Sequence, residues 1–201
     1  MAERHVFEEI LTHGLRAKVL RMGNLAPRDE DGEFQINYET NSYMNNFRAF
    51  QTLGMVSFEM MAQQVEFSPI DCLAKAVLAL AETPDDCICF IPLNPHRPLI
   101  SDVVRALNEE GYPVRGAEPE EFMAALHEAL SDEKKRGAVS SLAVYDSSDD
   151  IEMIGPESCD NSLTMQILER LGISWPETGS AYIRQFLKKL EEKGYFGDNQ
   201  E

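Results

Sequence analysis

The segment 14-GLRAKVLRMGNLAPRDEDGEFQ-35 decides how the chain is read. Gly14 stands where a helix C-terminus takes a left-handed residue. Residues 16–22 then alternate, with Ala17 and Val19 on one side and Lys18 and Leu20 on the other, as a strand does. The strand stops at Gly23-Asn24, and a proline, a basic residue and an acidic turn at Asp31-Gly32 follow. Upstream, Val6, Phe7, Ile10 and Leu11 make an apolar stripe at helical spacing over residues 3–13. The unit is helix, tight turn, strand, loop. From local sequence the loop has two readings: a ligand-facing backbone, or a turn held by the asparagine side chain.

Downstream, residues 41–64 read as two consecutive helices split near Gly54. The first aligns Tyr43, Phe47 and Phe50; the second carries Val56, Met60 and Met61. Such a stripe is core or the wall of an apolar pocket. In 65-VEFSPIDCLAKAVLALAE-82 a short strand ends at Ser68-Pro69. Asp71 caps the following helix, which is expected to bury Leu73, Ala74, Val77, Leu78 and Ala81. A buried strand over 87–91 leads into Asn94-Pro95-His96-Arg97-Pro98, then a helix begun by Ser101 with Val104 and Leu107 inward. Residues 111–114 form another extended piece, and Pro119 opens a helix running through Phe122, Leu126 and Leu130. Helices are expected over 132–145, 162–171 and 179–193, stopped by Gly172 and Gly194, with an acidic loop over about 146–161. Strands alternating with helices make the chain α/β, helix-rich towards its C-terminus.

The charge narrows the partners. A formal net charge of −17 over 201 residues repels nucleic-acid phosphate and anionic lipid. Two short basic clusters, Lys134-Lys135-Arg136 and Arg184 with Lys188 and Lys189, read as solvated helix faces or as a docking patch for an acidic partner. No apolar run approaches the roughly 20 residues of a membrane span, and the first residues lack a signal-peptide core, so a cytoplasmic protein is expected. Cys72, Cys87, Cys89 and Cys159 have no metal-site spacing and read as buried, reduced thiols; no metal site is expected. His96 reads as a solvated loop residue, and Glu120 and Glu121 show no paired geometry for hydrolysis.

Three stretches carry a family resemblance: 2-AERHVFEEILTHGLRAKVLRMGNLAPRDEDGEFQ-35, 67-FSPIDCLAKAVLAL-80 and 87-CICFIPLNPHRPLISDVVRALNEEGYPV-114. Together they resemble the carboxyl-terminal, substrate-binding portion of terminal thioester reductase domains of nonribosomal peptide synthetases. The carboxylic acid and aminoadipate reductases are related, all within the extended short-chain dehydrogenases. The match spans roughly residues 2–130.

The resemblance implies a fold and a reaction. Residues 1–40 would be the tail of a nucleotide-binding, Rossmann-like half, a helix plus a late parallel strand. Residues 41–201 would be a helix-rich α/β substrate-binding subdomain. Such a reductase uses NADPH to release an acyl or peptidyl thioester from a phosphopantetheinylated carrier protein as an aldehyde or alcohol. Gly23 and Asn24 would meet the cofactor, Gly23 by letting the backbone come close. Leu25, Phe47 and Phe50 would line the acyl site.

Two features of such enzymes are missing from these 201 residues. The twelve glycines give no GxGxxG or GxxGxxG, and none of the six tyrosines has a lysine four residues on. The expectation is therefore a fragment, inactive alone, with no catalytic residue of its own, that works with an upstream nucleotide-binding half and exposes the apolar surface that half would cover. Two alternatives stand beside it: part of a nucleotide-sugar epimerase or dehydratase, or a non-catalytic module that docks carrier proteins. A sugar-nucleotide site wants basic residues for a diphosphate, and residues 41–64 offer only Arg48.

Overall fold

The computed structural model describes residues 2–34, 36, 38–146 and 159–196. Most of the acidic loop, residues 147–158, and the Tyr43 side chain lie outside the described part.

Helix α1 (Ala2–His13) ends at Gly14, whose φ of +68° is the left-handed stop the sequence called for. The strand expected over 16–22 contracts to β1 (Val19–Leu20). The chain then steps across Met22–Asn24 into β2 (Leu25–Ala26). Helix α2 (Ser42–Leu53) is capped by Asn41, whose side chain accepts the Met44 N–H, and is closed by Gly54 at φ +65°.

A second helix does not follow directly. Residues β3 (Met55–Ser57) pair in parallel with β6 (Arg115–Ala117), so only the single turn α3 (Phe58–Met61) remains, begun by Ser57 accepting the Met60 N–H. The extended piece expected at 111–114 therefore falls slightly later, where this pairing places it.

Strand β4 (Ser68–Pro69) leads into α4 (Ile70–Ala81), and β5 (Cys89–Phe90) leads into α5 (Ile100–Glu109). Helix α4 buries Leu73, Ala76 and Leu80, one stripe at i, i+3 and i+7, while Ala74, Ala81 and Leu78 (71% exposed) face out. The expected wider face is corrected because the layer beneath α4 is only two strands deep and covers one stripe. Asp71 does not cap this helix. Its carboxylate instead accepts the N–H groups of Asp29 and Glu30, tying the loop after β2 to the start of α4. Helix α5 starts one residue before Ser101, and its cap is the Asp102 carboxylate accepting the Leu99 N–H.

Helix α6 (Pro119–Ser131) opens on proline as expected. The helix expected over 132–145 is broken into α7 (Arg136–Val139), a 3-10 turn at Ser140–Leu142 and α8 (Ala143–Asp146). Helices α9 (Ser162–Arg170) and α10 (Ser180–Glu192) close the described chain, with Gly172 and Gly194 left-handed after them.

Sheet pairing is parallel throughout: β1 with β5, β2 with β4 and β3 with β6. Two hydrophobic clusters result. The larger joins α2, α5, α6 and α10 around Phe47, Phe67, Tyr182 and Phe186, whose rings contact one another at centroid separations of 5.5–6.0 Å. Each such fully buried ring or leucine contributes roughly 1.5–3 kcal/mol. The smaller holds Leu73, Ala76, Leu80, Phe90, Leu168 and Trp175, between α4, α9 and the β1–β5 pair.

All four cysteines are free, but the expectation of burial is corrected. Cys89 and Cys159 are exposed, and Cys72 and Cys87 are half-buried. Burial still acts on Cys72, pushing its thiol up to about 11. Leu20 and Phe90, paired across β1 and β5, point into the smaller cluster, which turns the alternate residues Val19 and Cys89 to the opposite face.

Candidate functional site

Met22–Asn24 is the point where the chain leaves one parallel pair and enters another. The Arg21 N–H still donates to the Phe90 carbonyl at 2.9 Å, whereas the Asn24 carbonyl already accepts from Ser68 at 3.1 Å. The turn thus sits above the carboxyl ends of β1 and β5, where open parallel sheets take their ligands.

Beneath it lies an acid. Glu66 is 2% exposed, and its carboxylate accepts the Asn24 N–H at 2.5 Å and the Ser68 hydroxyl. The Ser68 oxygen in turn accepts the Asn94 N–H at 3.1 Å. Asn94 continues the chain of bonds, its Oδ1 accepting the His96 N–H and its Nδ2 donating to the Pro176 carbonyl. Thr178 closes it by donating to the His96 carbonyl at 2.6 Å. Glu66, Ser68, Asn94 and Thr178 are all buried. A buried polar network of this kind fixes geometry, because each unmade bond would cost about 1–3 kcal/mol. Burial pushes the Glu66 carboxyl above the usual carboxylate range, opposed by the donors at Ser68 and Asn24 and by the charge of Arg97.

This network explains Gly23. A Cβ there would lie 2.6 Å from the Glu66 carboxylate oxygens, so any side chain would displace the buried acid. The missing side chain answers a contact from below. The neighbouring side chains of Met22 and Asn24 are exposed above it.

The expected site residues divide. Gly23 and Asn24 lie together at the strand ends. Leu25 belongs to β2, paired with Ser68 and packed on the smaller cluster. Phe47 and Phe50, each 2% exposed, are interior residues of the larger cluster, Phe47 with its ring stacked on Phe67. Glu66, Ser68, Asn94, Arg97 and Thr178 were not singled out from sequence. The usable signal was a glutamate set between Val65 and Phe67 in an apolar stretch, facing an Asn-Pro step after the next strand.

His96 is not simply solvated: its Nδ1 lies 3.1 Å from the Glu177 carboxylate. Tyr182 donates to the Pro27 carbonyl at 2.6 Å and, buried, has its pKa raised by desolvation. It holds the loop after β2 against α10 and is not poised as an acid. Among the described residues no group of three His, Cys, Asp or Glu can hold a metal, and no helix is long and apolar enough to cross a membrane. A groove beside Arg16, Ala17 and Lys18 lies at the opposite, amino end of β1.

No family model matches the chain, and no curated protein does. Solved structures do. A thiolation-reductase di-domain from an archaeal non-ribosomal peptide synthetase is 34% identical and matches with a TM-score of 0.84; the match covers 97% of this chain and 40% of that one. The terminal reductase domain of the myxalamid PKS-NRPS pathway shares the fold at 16% identity and TM-score 0.80, over 98% of this chain and 49% of that one. The reductase domain of the aureusimine biosynthetic cluster does so at 19% and 0.76, over 95% and 48%. The chain spans less than half the length of each of these relatives. Its α/β fold is the one these nonribosomal peptide synthetase reductase domains share over the portion that it matches.

Proposed function

We propose that this chain is the substrate-facing part of an NADPH-dependent thioester reductase, which releases an acyl or peptidyl group from a carrier protein as an aldehyde or alcohol. The observation that carries the reading is the 34% identity to a thiolation-reductase di-domain over 97% of the chain. The exposed Met22–Asn24 turn above the strand ends supports it.

NADPH, when bound, supplies the hydride that adds to the thioester carbonyl carbon. The tetrahedral oxygen would take a proton and give one up as the C–S bond breaks, so that the aldehyde carbonyl re-forms and the carrier sulfur leaves as a thiol; an alcohol would require a second hydride and a second proton. The residues present fit only the nicotinamide end of that cofactor. Asn24 offers a carboxamide that both donates and accepts hydrogen bonds, and Gly23 keeps the backbone low over Glu66. The 201 residues contain no GxGxxG or GxxGxxG motif to hold the diphosphate and no Tyr-x-x-x-Lys pair to supply the proton. Both would come from a nucleotide-binding half, of which residues 1–40 are the tail.

That half would cover α1, none of whose residues is buried, and the outward Leu78 of α4. Residues 41–201 would form the acyl side. Leu25 sits nearest the turn, while Phe47 and Phe50 would support the acyl side from within the larger cluster. The carrier would approach Lys134, Lys135 and Arg136, which are exposed, since Arg184, Lys188 and Lys189 are already paired with Glu109, Glu110 and Glu192. The working compartment is the cytosol, where free thiols stay reduced.

The test is an assembled reductase carrying Asn24→Ala. Reduction of an acyl-carrier thioester should fall about tenfold in kcat/KM. Unchanged reduction would remove the turn from the site.

A further inference from the structure

Most guanidinium groups near the strand ends are spoken for. Arg21 pairs with Glu3, Arg28 with Asp31, and Arg184 with Glu109 and Glu110. Arg97 is different. It follows Asn94 in the loop after β5 and is half-buried, and its Nε is buried with no acceptor among the described residues.

Its surroundings make this unusual. The antiparallel bridge between Gln64 and Leu99, with the Val65 N–H donating to the Pro98 carbonyl at 2.8 Å, sets Glu66 opposite Arg97. The acid is turned away, towards the Asn24 N–H and the Ser68 hydroxyl. The charge of Arg97 acts on Glu66, opposing the effect of burial on its carboxyl. The loop that carries Arg97 is held by the bonds from Asn94 and Thr178, so the cation stands on a fixed support. The nearby Glu177 carboxylate is engaged by His96 and is 82% exposed, where solvent screens it.

A half-buried guanidinium whose Nε meets no acceptor among the described residues, on a loop held by hydrogen bonds at the carboxyl ends of β1 and β5, has the charge and the fork of donors to hold an oxyanion. We propose that Arg97 anchors a phosphate ester of an incoming ligand. Two ligands in the proposed reaction carry that chemistry, the pantetheine arm of the carrier and the dinucleotide. The choice between them rests on the reductive-release reading; the anion site rests on Arg97 and its loop.

The experiment uses the 201-residue chain. Inorganic phosphate, pantetheine, phosphopantetheine and NADP+ are titrated into wild type, Arg97→Gln and Arg97→Lys by nitrogen-15 NMR. Wild type should bind phosphopantetheine roughly tenfold more tightly than pantetheine, with Arg97→Gln abolishing the difference and Arg97→Lys restoring part of it. If NADP+ rather than phosphopantetheine shows the Arg97 dependence, the site stands and its phosphate belongs to the dinucleotide. Equal affinities of wild type and Arg97→Gln for every phosphate-bearing probe would overturn the proposal. Arg97→Gln should melt within about 2 °C of wild type, so lost binding is not lost folding. The reductase reading fails separately, if an assembled enzyme reduces no thioester.

Discussion

The two hydrophobic clusters are built to different ends. The larger is an aromatic interior in which Phe47, Phe67, Tyr182 and Phe186 meet ring on ring, and the hydroxyl of Tyr182 finds the Pro27 carbonyl. The smaller rests on two-residue strands, and above it the chain buries Glu66, Ser68 and Asn94. Stability alone does not ask for a buried carboxylate, since an apolar residue of similar size is often neutral or better. The contrast separates a part that holds the molecule together from a part that holds a loop in one shape.

Breaking the larger cluster should have the greatest effect. Phe186→Ala removes a fully buried ring in contact with three others and is expected to cost about 3–5 kcal/mol in urea denaturation.

The next comparison is between two glycines. An added Cβ would meet the Glu66 carboxylate at 2.6 Å from Gly23, and would run into the Phe58 ring from Gly116. The first neighbour is buried and hydrogen-bonded, whereas Phe58 is 53% exposed and can swing into solvent. Gly23→Ala should therefore cost about 2–3 kcal/mol and Gly116→Ala under about 1 kcal/mol. Equal costs would mean that Glu66 is not held in place.

Protonation sharpens the same point. Burial raises the Glu66 pKa, so the folded state holds its proton to higher pH than the unfolded chain. That contribution is complete below the unfolded carboxyl range and is lost as pH rises through the folded value. Denaturation at acid and neutral pH should show Glu66→Gln gaining on wild type as pH rises. A difference independent of pH would show that the carboxyl titrates normally.

The smallest effects belong to the surface. Reversing Lys134, Lys135 and Arg136 should leave stability within about 0.5 kcal/mol and weaken carrier binding roughly fivefold at low salt. Unchanged affinity would remove that patch as the docking face.

What could be read from the sequence follows the physics of each segment. Helices with one apolar stripe and a glycine stop, such as α1 and α10, were plain because both signals are local. Strands of two or three residues carry too little alternation to be bounded, so the alternating pattern over 16–22 overruns β1 and the residues of β3 read as helix. The outward turn of Leu78 depends on how narrow the sheet beneath α4 is, and no local pattern records that. The site was half legible. Gly23 and Asn24 announce a turn, but their support by Glu66 spans 42 residues. Phe47 and Phe50 show that an aromatic stripe at helical spacing marks burial before it marks a pocket.

The central claim is that these residues form the acyl side of a reductase whose hydride machinery lies elsewhere. NADPH oxidation should be followed with an acyl-carrier thioester, using the chain alone and then joined to the part of the archaeal thiolation-reductase di-domain that it does not match. The account predicts no turnover from the chain alone and aldehyde from the joined protein. Turnover by the 201 residues unaided, or a correctly folded joined protein that reduces nothing, would contradict it.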